Sequence, residues 1–162
     1  MRMAVLQNRV RPSEQEELYP NHGEACVAKG SSRSYRLRLS AEGTDLFLAC
    51  HYRLARLTRC FIAYGATLSV AMRLLEQLDD EELIAELMTP KLPALGGNAE
   101  YFVGASPTLA QVAASVLERV DRSGSFAVPP PVHAIYVAAL TLMASSEDPL
   151  LLQAYCGRLE HR

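Results

Sequence analysis

Ser34-Tyr35-Arg36-Leu37-Arg38-Leu39-Ser40 is the stretch on which the fold turns. Side chains alternate across a strand, so Tyr35, Leu37 and Leu39 share one face and Ser34, Arg36 and Arg38 the other. The first face can close a hydrophobic core. The second holds two long cations at alternate positions, and a two-stranded ribbon carrying such side chains fits the major groove of B-DNA. The alternation predicts a strand over 34–39 whose polar face points to nucleic-acid contact.

Upstream of this strand, residues 1–32 are polar and turn-rich (Pro12, Pro20, Asn21, Gly23, Gly30) and read as a flexible N-terminal arm. Downstream, Ser40 is placed to cap a helix whose apolar positions run from Leu46 through Cys50 and Leu54 to about Arg59. Tyr64-Gly65 reads as a break, and Thr67 as the cap of a second helix striped by Leu68, Ala71, Met72, Leu75 and Leu78. Asp79–Met88 continues or restarts as an acidic amphipathic helix. Pro90, Pro93, Gly96 and Gly97 mark a linker.

Beyond the linker the same order recurs. Tyr101, Val103 and Ala105 alternate, and Ser106-Pro107 is a helix start with serine as cap and proline at the first helical position. Val112, Val116 and Val120 run along one face, Ser123-Gly124-Ser125 interrupts, and Val132–Ser145 is a strong helical pattern. A slide of 66 residues without a gap pairs Tyr35 with Tyr101, Ser40 with Ser106 and Arg53 with Arg119. It also pairs Arg56 with Arg122, Leu74 with Leu140 and Glu81 with Glu147. Strand, helix, breaker and helix in matched order predict an internal duplication, with units at about 33–88 and 99–147. The leucine-rich segment from Pro149 onward adds a C-terminal helix, so 33–162 is expected to form a single compact domain.

Composition narrows the class. The 49% hydrophobic content fits a folded globular protein. The formal net charge of −2 conceals a polarised chain. From Lys29 to Arg73 there are eight basic residues against Glu42 and Asp45; from Glu76 to Glu100 there are seven acids against Lys91. Any nucleic-acid footprint is therefore local, in the front half. Arginine dominates the basic residues, and its guanidinium suits guanine edges and phosphates. Cys26, Cys50, Cys60 and Cys156 form no CxxC pair and read as reduced thiols rather than zinc ligands or disulfides. The N-terminus lacks the pattern of a signal peptide, and the apolar run 134–144 is too short for a bilayer, which together predict a cytoplasmic protein without a membrane partner.

A strand with outward polar residues followed by two helices, the second capped, resembles the ribbon-helix-helix DNA-binding family. Two such units in one chain resemble its single-chain tandem members, including accessory factors of conjugative and T-DNA transfer. The resemblance covers about two thirds of the chain. It implies an α+β, mostly helical fold: a tandem (βαα-βαα) pseudo-dimer whose strands form a two-stranded antiparallel ribbon. It implies sequence-specific double-stranded DNA binding in a transfer or transcription-regulatory role, alongside other DNA-processing proteins. Ser34, Arg36 and Arg38 would read bases, Arg33 and Lys29 would add backbone contacts, and the turn at Thr67 would offer helix N–H groups to a phosphate. The second unit departs from the family, since its outward positions Glu100, Phe102 and Gly104 include no basic reader and Pro129-Pro130-Pro131 lacks N–H donors.

The chain carries no GxSxG, no Walker lysine loop and no GxGxxG after a strand. Its histidines show neither HxxxH nor HExxH spacing. The expectation is a non-enzyme without cofactor or metal. Arg53 and Arg56 read as a solvated helix face, and Asp79–Glu82 as charges favouring a helix start. The alternative class is a helical interaction module, such as a secretion chaperone, adaptor or antitoxin, gripping a partner through the acidic helix or the C-terminus. The two classes part at the strands: DNA reading requires 34–39 to pair with 100–104, and an adaptor does not.

Overall fold

Tyr35, Leu37 and Leu39 are buried while Ser34 and Arg36 are exposed, as the alternation requires. The structure, a computed structural model, describes residues 32–157. Its first strand, β1 (Arg33–Leu39), needs a partner for its backbone N–H and C=O groups. That partner is β2 (Ala99–Ala105), antiparallel, in a register running from Arg33 opposite Ala105 to Leu39 opposite Ala99. A two-stranded sheet is marginal unless one face is covered. Helices cover it: α1 (Ala41–Thr58), α2 (Tyr64–Gln77), α3 (Asp80–Leu87) and the short α4 (Leu92–Leu95) precede β2. After β2 come α5 (Thr108–Ser123), α6 (Val132–Ser145) and α7 (Asp148–Tyr155). The protein is α+β and mostly helical, with one antiparallel pair of strands among the described residues.

Local chemistry explains the helix ends. Ser40 caps α1, its hydroxyl accepting a hydrogen bond from the Gly43 N–H at 3.1 Å. The same helix ends on Arg59 in the left-handed region, at φ 53°. α3 is a fresh start rather than a continuation, because the Asp79 carboxylate accepts from the Glu82 N–H at 2.8 Å. The proline- and glycine-rich linker is more ordered than its composition predicts. Leu92 is buried, and the Leu95 carbonyl accepts from the Ser40 N–H at 3.0 Å, which ties α4 to the start of α1.

Two expected boundaries move. Tyr64-Gly65 is not a break: α2 begins at Tyr64, and Thr67 lies inside its first turn instead of capping it. Gly65 is required by packing, since a Cβ there would overlap the Gly104 carbonyl of β2. α5 begins at Thr108, two residues after the expected serine cap, with the Ser106 hydroxyl accepting from the Thr108 N–H at 3.4 Å.

The core forms where α2 and α6 pack together under the ribbon. Leu68, Met72 and Leu75 of α2 and Ile135, Leu140 and Met143 of α6 are almost wholly excluded from solvent. Each such side chain stabilises the fold by roughly 1.5–3 kcal/mol relative to an exposed one. α6 is buried nearly all round, which accounts for its unbroken apolar run. Among the described residues no helix is long and apolar enough to cross a membrane. The elements interleave: α1 packs on α6 and α5 on α2, β1 on α6 and β2 on α2, while α7 reaches α1 and α2 as α3 reaches α5 and α6.

Cys50 sits at the contact between α1 and α6, its thiol donating to the Leu140 carbonyl at 3.6 Å. Burial, only partly opposed by Arg53, pushes that thiol up to about 11. Cys60 and Cys156 are exposed. In the native protein at neutral pH, iodoacetamide is expected to label Cys60 and Cys156 readily and Cys50 only after unfolding. Peptide mapping by mass spectrometry checks this; Cys50 labelled as fast as Cys60 would contradict the packing.

Candidate functional site

Antiparallel pairing brings six residues to the outer face of the ribbon: Ser34 opposite Gly104, Arg36 opposite Phe102 and Arg38 opposite Glu100. The opposite face, with Tyr35, Leu37, Leu39, Val103 and Ala105, closes the core. Tyr35 locks that face, its hydroxyl donating to the Ser106 carbonyl at 2.8 Å. Tyr101 is exposed at the other end, accepting from the Thr44 hydroxyl at 3.2 Å.

Arg36 and Arg38 project from the outer face, and both reach Glu100. Arg38 donates from Nε at 2.9 Å and lies 2.8 Å from the same carboxylate oxygen through Nη2. Arg36 is 3.5 Å away through Nη1. These pairs are solvent-exposed, so each stabilises the fold by at most about 1 kcal/mol and can be exchanged for another anion or acceptor. Phe102 stands beside them with 69% of its surface exposed, a large apolar ring next to charged side chains.

The expected site residues divide. Ser34, Arg36 and Arg38 share the outer face, and Arg33 is exposed at the ribbon's end opposite Ala105. Thr67 does not belong to the surface: it is completely buried, its hydroxyl 2.8 Å from His51 Nδ1. Burial holds the His51 ring below the usual histidine range, and its ring packs on Tyr64, with centroids 4.5 Å apart. At the start of α2 Ala63 and Tyr64 are exposed, while Gly65 is buried like Thr67. No side chain caps the helix at Ala63, and the Ala66 N–H donates to the Ala63 carbonyl at 2.9 Å, which leaves only the N–H groups ahead of it without an intrahelical acceptor. Gly65 seats this turn against Gly104 and Ala105, at the Ser34–Gly104 end of the ribbon. Lys29 lies outside the described residues.

No protein-family model, no curated protein and no solved structure matches this chain. The outer face itself presents two guanidiniums, a carboxylate and a phenyl ring.

The basic front half is partly spent inside the fold. Arg53 is not a solvated residue: it donates to the Ala144 and Ser146 carbonyls at 3.1 and 2.6 Å and pairs with Asp148. Arg73 donates to the Ala154 carbonyl at 2.8 Å. Both satisfy helix C-terminal carbonyls, so neither is free for a ligand. The surface cations that remain around the ribbon in β1 are Arg33, Arg36 and Arg38. Reading each strand alone puts Glu100 on the outer face but does not place it beside Arg38. Antiparallel pairing about Arg36 and Phe102 puts it opposite Arg38.

Proposed function

We propose that this protein binds double-stranded DNA by laying the outer face of the β1–β2 ribbon into the major groove. The observation that carries the reading is the pairing of β1 with β2, which sets Arg36 and Arg38 side by side on an outward face. A two-stranded ribbon fits a groove roughly 12 Å wide, and arginine donates two parallel hydrogen bonds to guanine O6 and N7. The first turn of α2, beside the ribbon, suits a backbone phosphate. The alternative, a helical adaptor, has no need of that strand pairing.

The same proposal takes the chain as a tandem pseudo-dimer of the ribbon-helix-helix kind, acting as an accessory or regulatory factor in DNA transfer or transcription. Several features support the tandem. β1 and β2 are each 7 residues long, α2 and α6 each 14, and α3 and α7 each 8. On this reading α7 is the counterpart of α3 rather than an appendage, and each unit is βααα. The interleaved packing exchanges partner for partner when the two runs are swapped.

Fluorescence anisotropy with a labelled mixed-sequence duplex tests the function. Binding is expected at low salt and is expected to weaken steeply as salt is raised, because cations on the protein displace condensed counterions. No binding at low salt sinks the proposal and moves the search to protein partners.

A further inference from the structure

The three rungs of the ribbon's outer face are chemically unlike. A half-turn through the central rung, Arg36–Phe102, carries each strand onto the other. It places Ser34 where Glu100 stands and Gly104 where Arg38 stands. In a ribbon made from two identical strands these positions would match, and the two ends would read the same bases on a palindromic site. Here they differ in charge, length and polarity. One end holds a guanidinium and a carboxylate in contact at 2.8 Å. The other is bare apart from hydroxyls: Gly104 has no side chain, and the Ser32 hydroxyl lies over it, where a Cβ would sit at 3.0 Å. The middle sets Arg36 against an exposed phenyl ring.

We infer that this ribbon takes a non-palindromic duplex site in a single orientation, with Glu100 as a specificity-determining residue. The inference rests on the DNA-binding reading and goes beyond it, since that reading requires only Arg36 and Arg38. At the Arg38–Glu100 end, arginine matches the guanine acceptors O6 and N7, and glutamate accepts from the cytosine N4 amine, so the pair selects G·C over A·T. Phe102 in the middle matches a thymine methyl. At the other end Ser34 offers only a hydroxyl, which donates or accepts alike and so selects no particular base. That end lies beside the first turn of α2 and lets backbone approach backbone, which suits anchoring to phosphates. Base information is thereby concentrated under one end and the centre, and register under the other.

Glu100 also has a restraining role. Its carboxylate occupies the two guanidiniums in the free protein and repels phosphate oxygens from the same face. Where no base amine lies within reach, the carboxylate enters the groove with no donor to replace water and arginine. Wrong sequences are penalised for that reason, and removing the charge should make the ribbon both stickier and less selective.

Selection of the full chain against a randomised duplex library tests this, followed by anisotropy on the selected duplex and on a mixed-sequence duplex. The wild type is expected to yield a motif without dyad symmetry. Glu100→Gln is expected to bind the mixed duplex several-fold more tightly and to lose roughly 5- to 150-fold of the preference at one base pair, the factor one good base contact carries. Glu118→Gln, which removes an exposed carboxylate on α5 outside the ribbon, is expected to change neither. Glu100 and Glu118 are exposed, so circular dichroism of both variants should match the wild type. A palindromic motif, binding without any enriched motif, or an unchanged preference in Glu100→Gln overturns the inference while leaving duplex binding in place. Absence of binding to every duplex overturns the DNA reading itself.

Discussion

Replacing Arg36 and Arg38 together by alanine is expected to remove specific DNA binding while leaving the fold intact. Each arginine that donates bidentately to a guanine carries about 1–3 kcal/mol of discrimination, so losing both costs about 2–6 kcal/mol, or roughly 30- to 10⁴-fold in affinity for the preferred site. Binding to a mixed duplex should fall less, with the slope of log affinity against log salt reduced by about one for each cation that no longer meets a phosphate. The fold should not notice. The two side chains are 55% and 43% exposed, and the ion pairs they lose are each worth at most about 1 kcal/mol. Anisotropy against a selected duplex, with the thermal transition measured in parallel, separates the two effects. A double variant that folds normally and binds like the wild type would show that the ribbon is not the reading surface.

How much of this was legible in the sequence depends on the range of the interaction. Strand alternation is a local rule, and it located β1, its inward face and its outward arginines. Capping by Ser40 is equally local, and the serine caps α1 as read. Thr67 escapes the local rule because a threonine ahead of an apolar stripe looks like a cap whether it faces solvent or, as here, a histidine on another helix. Gly65 escapes it for a related reason. A glycine read alone signals a break, and only the Gly104 carbonyl, 39 residues away, shows that it serves a close approach inside a helix. Arg53 looked like a solvated face because its partners, the end of α6 and Asp148, are more than 90 residues distant.

The gapless slide had its own physical limit. On the tandem reading the strands and the arginine pair Arg53 and Arg119 are 66 residues apart, but α3 and α7 begin 68 apart. The connection between α5 and α6 is longer than that between α1 and α2, and loops accept such insertions at little cost. A fixed offset loses the correspondence beyond that loop, which is why the C-terminal helix read as an addition.

Methionine in place of Arg53 or Arg119 should destabilise the fold by about 2 kcal/mol each, and by about 4 kcal/mol together. The two arginines do the same work in different places. Arg53 on α1 donates to the Ala144 and Ser146 carbonyls at the end of α6 and to Asp148 at the start of α7. Arg119 on α5 donates to the Glu76 and Leu78 carbonyls at the end of α2 and to Asp80 at the start of α3. Glu76, Leu78 and Asp80 stand 68 residues before Ala144, Ser146 and Asp148, so each arginine clamps the corresponding helix junction on the opposite side of the core. The ion-pair component is small, because the aspartates are more than half exposed. The larger loss comes from the carbonyls at the helix ends, which surrender charge-assisted donors that no neighbouring side chain replaces. Methionine keeps most of the apolar stem, so the change reports the lost donors rather than a cavity. Urea denaturation of the two single variants and the double variant measures this directly. Comparable single losses that add in the double variant are expected, since the clamps share no partner. Losses below about 0.5 kcal/mol at both positions would mean that the clamps are dispensable, and with them the strongest structural support for two equivalent units in one chain.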